Sequence, residues 1–354
     1  MRPYLPARAS RRDFISLAGA AGLGGLPGIA SAQEVEIVLA NFGGEALKST
    51  NEVYAAAFNK MGTGARVRVD GGGPTSGKIK AIVESRRISW DMVDRNFHGS
   101  LELGPQGFLE AVDYTIVDAN KVLPGYAGKW GVGSYTYANV LAWNNKAFRN
   151  GRAPKTWADF WNVKEFPGKR SMRKYIDGVV EAALMADGVP ADALYPLDLP
   201  RAFKKLRELK RDLIFWGNHA EARQLLRDRE VTMACVAHSS AFELKNETRG
   251  EIDFTFDQGT LFVSGWAVLK GSPAGRKNWE FLASTQDPQR QVEMLRRLSW
   301  GPINPAANAL IPPELQAVNP SNPKHLAVMA KADNAWYAQN SAEALKRFFD
   351  EVVA

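Results

Sequence analysis

Two long runs of strand-forming residues separate sets of shorter strand-and-helix patterns, and they constrain the fold more than any other feature. YTYANVLAWNNKAF (135–148) lies in mid-chain and leads into PKTWADFW and a fresh series of alternating elements. FVSGWAVL (262–269) is the second run, followed by the helix-like GRKNWEFLAS. Around them, EIVLAN (36–41) precedes EALKSTNEVYAAAFNKM, ARVRVDG (65–71) precedes KIKAIVESRR, and WDMVDRN (90–96) precedes a turn-rich segment. DLIFW (212–216), VTMACVA (231–237), DFTF (253–256) and SGWAVL (264–269) are later strand candidates. Strands that alternate with helices of this length predict an α/β protein with mainly parallel sheets. Two long crossings between two such sets predict two lobes joined by a hinge. Helix starts are also marked: Thr156 with Asp159 three residues on forms a capping-box variant, and Asp287-Pro288 supplies a cap and a first-turn proline.

Residues 1–32 read as a leader rather than as fold. Arg11 and Arg12 form a twin-arginine pair, an uncharged Gly/Ala-rich run extends from Phe14 to Ile29, and Ala30-Ser31-Ala32 supplies a small-residue cleavage site. A basic region, an apolar region and small residues in that order describe a secretory signal of the twin-arginine type, with cleavage after Ala32 and delivery to a periplasm. A basic helix end with a glycine-rich linker is the plainer alternative. Cleavage leaves 322 of the 354 residues and removes four arginines and one aspartate, so the net charge falls from +7 to +4. That excess is too small for a dedicated nucleic-acid binder. The remaining length suits two domains with separate cores. The one cysteine, Cys235, lies in the apolar run VTMACVA and reads as a small core residue.

The chain from 35 to 354 resembles the substrate-binding proteins of ABC importers, in the spermidine/putrescine-binding type. The resemblance is carried by ANFGGE, KIKAIVES…WDMVD, WGVGSYTYANVLAWN, TWADFWNVKEFPGKR, VEAALMADGVPADALYPLD and SWGPINPAA, in that order. It implies a two-lobe periplasmic-binding-protein fold of type II, each lobe a mainly parallel sheet flanked by helices, with the ligand cleft between them. It places lobe 1 at 33–137 plus 264–302 and lobe 2 at 138–263 plus 303–354.

Ligands in α/β sheets of this kind sit beyond the carboxyl ends of the strands, against helix N-termini. That rule selects Phe42, Gly43 and Gly44 after the first strand, where glycines let backbone N–H groups approach a ligand; a plain tight turn is the alternative. It selects Asn96, Phe97 and His98 after WDMVD, and Tyr137 in the first crossing. In GKRSMRKYIDG, Arg173 and Tyr175 share a face if the segment is extended, while Lys174 points away. Arg173 suits a carboxylate or phosphate, whereas Lys169 and Arg170 read as solvated rim. Asp177, His238, Ser239, Ser264 and the aromatic candidates Trp216 and Trp266 complete the set; both tryptophans have a packing alternative.

Polyamine-binding relatives surround ammonium groups with carboxylates and aromatic faces, as a desolvated cation requires. The matching positions here are Tyr175, Gly178, Ala237 and Ser264, none of them acidic. With Arg173 nearby and Asp177 one place away, a carboxylate-bearing or zwitterionic solute fits better than a polyamine. GGPTSGKI (72–79) approaches a phosphate-binding loop, but Ile79 stands where a hydroxyl should hold magnesium. The basic stripe in LPRAFKKLRELKRD reads as a solvated helix face. No nucleophile elbow or metal-ligand spacing occurs, so the expectation is no enzyme, cofactor or metal. A ferric-ion binder or an enzyme on the same fold are the rival readings. The expected partners are a small-molecule solute and an inner-membrane ABC permease, with the binding protein a monomer. Replacing Arg11 and Arg12 by lysine is expected to remove most of the exported, processed protein; undiminished export would exclude the twin-arginine route.

Overall fold

The computed structural model describes residues 34–148 and 152–354. The twin-arginine leader and its cleavage site lie outside the described residues. Ten strands form one sheet: β1 (Val35–Ala40), β2 (Ala65–Asp70), β3 (Met92–Asn96), β4 (Val132–Asn144), β5 (Arg170–Arg173), β6 (Leu213–Trp216), β7 (Met233–Ala237), β8 (Ile252–Val268), β9 (Gly301–Pro302) and β10 (Ala330–Lys331). Their order is β2-β1-β3-β8-β4-β7-β5-β6, with β10 on β8 and β9 on β4. β1 is parallel to β2 and β3, and β5 is parallel to β6 and β7. The long strands β4 and β8 run antiparallel to their neighbours β3 and β7 and to each other. The two half-sheets expected from the sequence are therefore continuous through the crossings.

Burial follows the two-residue period of each strand. Ile37 and Leu39 face one core with Tyr54, Phe58 and Phe281, while Val38 and Ala40 face another with Ile79 and Val93. In the other half, Trp157, Phe160, Met172, Val180 and Phe203 cover one face, and Val140, Ala234, Val236, Leu226 and Leu244 the other. Cys235 is buried, as its apolar run predicts. Thr156 and Asp159 make the reciprocal capping bonds, and the Asp287 carboxylate accepts from the Arg290 N–H. Among the described residues no helix is long and apolar enough to cross a membrane.

DFTF and SGWAVL, read as separate strands, are the two ends of β8. The intervening DQG hides the continuity because it forms a bulge. The register of β4 on β8 shifts between Asn139 and Leu141, and again between Gly133 and Tyr135. Gln258 adopts φ 58° there, and its backbone and side-chain oxygens accept the Trp157 indole and backbone N–H groups at 2.8 and 2.9 Å. A bulge of this kind unpairs and bends one strand without ending it.

Arg170 corrects the reading of the basic cluster. It is not rim: the side chain is fully buried beside Met172. Its Nε donates to the Phe160 carbonyl at 2.8 Å, and its terminal nitrogens donate to the carbonyls of Gly168 and Phe166. The guanidinium thus satisfies three carbonyls, one at the end of the helix Trp157–Trp161 and two in the loop after it, that burial would otherwise leave unpaired. Replacing Arg170 by methionine is expected to cost about 2–4 kcal/mol of stability in urea denaturation, because each orphaned acceptor carries its own desolvation penalty. A loss below 1 kcal/mol, roughly the scale of a surface substitution, would contradict that account.

Candidate functional site

The carboxyl ends of β3 and β5 bring residues from both halves together. Asn96 ends β3; its Nδ2 donates to Asp177 Oδ2 at 3.0 Å, and its Oδ1 accepts from the Tyr137 hydroxyl at 2.8 Å. Arg173 ends β5, and its guanidinium lies 4.9 Å from the centre of the Tyr175 ring. Lys174 is exposed, in a bend that begins where the strand ends at Arg173 and not in the extended segment the sequence suggested. His98, two residues beyond Asn96, stacks on Tyr337 of the helix Asn334–Phe348 with ring centres 5.2 Å apart. The structure thereby assembles Asn96, His98, Tyr137, Arg173, Tyr175 and Asp177 across one junction.

Asp177 is the unusual member. It is 2% exposed, and its Oδ1 has no hydrogen-bond partner among the described residues. Burial pushes its carboxyl up to about 7, against the opposing pull of Arg173 and with Glu181 adding to the rise. Burial likewise pushes Tyr175 up to about 12, with Asp177 acting the same way and Arg173 and Arg95 opposing. The backbone around Asp177 is held on both sides. Asn139 Nδ2 donates to the Asp177 carbonyl at 3.1 Å, and Gly178 turns at φ 77°, where an added Cβ would come within 2.6 Å of the Asn139 amide. Only glycine meets both demands.

The remaining predicted residues fall in different places. Phe42 is an exposed lip residue, 63% accessible, beside Gly43 and Gly44, which take φ 80° and 60° to enter the helix Gly44–Thr50. Ser239 is half-buried at the start of the helix His238–Glu247. Phe97 and Trp266 belong to the first core instead of the cleft: Phe97 packs edge-on to Tyr126, and Trp266 stacks on Phe281. Trp216 is buried next to Arg173 on the neighbouring strand, and its indole N–H has no partner among the described residues. His238 is fully buried and committed to backbone. Its Nδ1 accepts the Ala138 N–H at 3.2 Å, so the Nε2 that faces the Ser299 carbonyl at 2.7 Å carries the proton. Burial holds this imidazole down to about 4, which keeps it neutral.

Three polar features escaped the sequence reading. Asp94, one turn of the pleat before Asn96, is buried and accepts from Ser264 Oγ at 2.8 Å and from the Tyr135 hydroxyl at 3.4 Å; burial pushes it up to about 7. Tyr135 in turn stacks on Trp300 at 3.6 Å. Arg95 donates to Ser76 Oγ at 2.9 Å and lies 3.8 Å from Glu102. Glu181 is buried among Tyr195, Tyr337 and the Gly178 N–H. The polar ending of WDMVDRN was the available signal for the first two. Glu181 gave none, because it sits inside an otherwise apolar helix. Among the described residues no three His, Cys, Asp or Glu side chains converge as a metal site.

Because the Asp177 carboxyl is raised above its ordinary range, folding favours its protonated form. The stability it withholds grows as pH rises from about 4 and is fully withheld above about 7. Asp177→Asn, free of ligand, is expected to be more stable than the parent by about 1–3 kcal/mol at about pH 8. The gap should narrow steadily as the pH is lowered through 7. An equal gap at every pH would show that the carboxylate is not desolvated.

The description of bacterial extracellular solute-binding proteins matches residues 53–324 of the chain. The chain is 30% identical over 345 residues to a γ-aminobutyric acid-binding protein of Pseudomonas aeruginosa, covering 96% of this chain and 95% of that protein. It is similar to the solved Atu4243 GABA receptor, at 31% identity and TM-score 0.83 over 89% of this chain and 96% of that one. It is similar also to an ABC transporter substrate-binding protein from Bradyrhizobium japonicum, at 33% identity and TM-score 0.84 over 90% of this chain and 100% of that one. These matches place the chain in the bacterial extracellular solute-binding protein family of ABC importers.

Proposed function

We propose that this solute-binding component of an ABC transporter captures a small zwitterion of the ω-amino acid kind, with its amine at Asp177 and its carboxylate at Arg173. The observation that carries the reading is the buried, unpartnered Oδ1 of Asp177 a few residues from a half-buried arginine. A buried carboxylate without a counterion is costly, and a ligand ammonium removes the cost. Arg173 offers a fixed fork of donors to a carboxylate. γ-Aminobutyric acid, after which two relatives are named, carries both groups. A polyamine would answer Asp177 and set another ammonium in the field of Arg173, so the polyamine reading is the weaker one.

The two lobes, divided as 33–137 plus 264–302 against 138–263 plus 303–354, close by bending where β4 and β8 lose register. The protein acts in the periplasm as a monomer, delivers its solute to a membrane permease and performs no catalysis. The test is calorimetric titration with γ-aminobutyrate, butyrate, n-butylamine, glutarate and putrescine. γ-Aminobutyrate should bind most tightly, and Arg173→Ala should lose about 2–4 kcal/mol of that affinity, since the ligand carboxylate would be left unpaired. Tight putrescine binding that Arg173→Ala leaves unchanged would overturn the zwitterion reading.

A further inference from the structure

The amine subsite is braced from behind by a circuit that none of the cleft residues explains. Glu181 occupies the third position of the helix Val179–Ala186 and is fully buried. Its Oε2 accepts the Gly178 N–H at 3.0 Å, and its Oε1 accepts the hydroxyls of Tyr195 and Tyr337, each at 2.6 Å. The peptide joining Asp177 to Gly178 is thus clamped at its carbonyl by Asn139 and at its N–H by Glu181. Tyr337 also stacks on His98, and Asn96, on the same strand end, donates to the Asp177 carboxylate. Asp177, Asn96, His98, Tyr337, Glu181 and Gly178 therefore close a ring that passes through both lobes.

We propose that Glu181 is a positioning residue for amine recognition: it fixes the Asp177–Gly178 peptide so that the Asp177 carboxylate keeps one oxygen free for a ligand ammonium, and it ties that aim to the interlobe stack of His98 on Tyr337. This rests on the assignment of the ligand amine to Asp177. The geometry supports it in three ways. Gly178 cannot be held at positive φ by its own side chain, so its orientation depends on the two flanking hydrogen bonds. Every acceptor direction used on Glu181 meets a strong donor, which leaves the carboxylate no freedom to follow a moving loop. The stack on His98 is complete only when the lobes meet, so opening the cleft removes support from Tyr337 and, through it, from Glu181. Glu181 is also an acid beside an acid. It adds to the rise that burial imposes on the Asp177 carboxyl, while Arg173 pulls the other way, and so sharpens the demand for a cation there.

Glu181→Gln separates this role from simple bracing. The glutamine oxygen still accepts from both tyrosines, but its NH2 cannot accept the Gly178 N–H, so the peptide loses one clamp while the core keeps its shape. Binding of γ-aminobutyrate and of butyrate is followed by intrinsic fluorescence for the full-length protein, Glu181→Gln and the milder Tyr337→Phe. The expected result is a roughly tenfold loss for γ-aminobutyrate in Glu181→Gln and a smaller loss in Tyr337→Phe, with butyrate affinity unchanged in both. A parallel loss for both ligands that tracks a fall in Tm would make Glu181 a structural brace only and overturn the proposal, as would unchanged γ-aminobutyrate binding in both variants. If the parent protein itself fails to prefer γ-aminobutyrate over butyrate, the amine assignment fails first, and the proposal falls with it.

Discussion

The backbone pairing of β4 with β8 is the interaction on which the rest of the structure depends. Each strand begins in one half of the sheet and ends in the other, so both cores grow from the same two-stranded ribbon. A continuous ribbon resists sliding because one residue of slip would turn every side chain to the wrong face. It yields only where its ladder is already interrupted, at Gly133–Tyr135 and at Asn139–Leu141. Those interruptions bracket Tyr135 and Tyr137, whose hydroxyls reach Asp94 and Asn96. The stretch proposed to bend is therefore the one whose hydroxyls meet Asp94 and Asn96, so the proposed ligand contacts and the proposed hinge share one segment.

On that frame the site is arranged against stability. Asp94 and Asp177 are both buried, both pushed upward by desolvation, and both bonded to neutral donors. A core chosen for stability would replace such groups with apolar ones of equal volume. Their retention makes sense where a ligand supplies the missing charge, because the interaction is then realised only in the bound state. Arg170 shows the opposite use of a buried charge. Its guanidinium is buried and each of its three nitrogens is engaged by a backbone carbonyl of the preceding helix and loop.

How much of this was legible depended on the range of the interaction. The α/β alternation, the two crossings and the caps at Thr156 and Asp287 are local, and period and capping rules reach them. Asn96 and Asp177 are 81 positions apart, and Glu181 and Tyr337 are 156 apart; no periodicity announces such pairs. Arg170 was misjudged because charge was weighed above register, although the two-residue period sets it on the face of Met172. Phe97 was drawn into the cleft by its place after a strand end and Trp266 by its place in the second crossing, and core packing claimed both instead. The bulge at Gln258 concealed one long strand as two short ones, since a single broken alternation looks like a turn.

The stack of Tyr337 on His98 has a consequence for the order of events in folding. The final long helix closes the ring around Asp177, yet the strands and the loop that carry Asp177 precede it by some 150 residues of chain. The peptide between Asp177 and Gly178 therefore lacks part of its support until this last helix is in place. The helix that supplies the brace packs into the core of Trp157, Phe160 and Val180, the same half of the structure that carries Asp177, and reaches the other half only through the ring of His98.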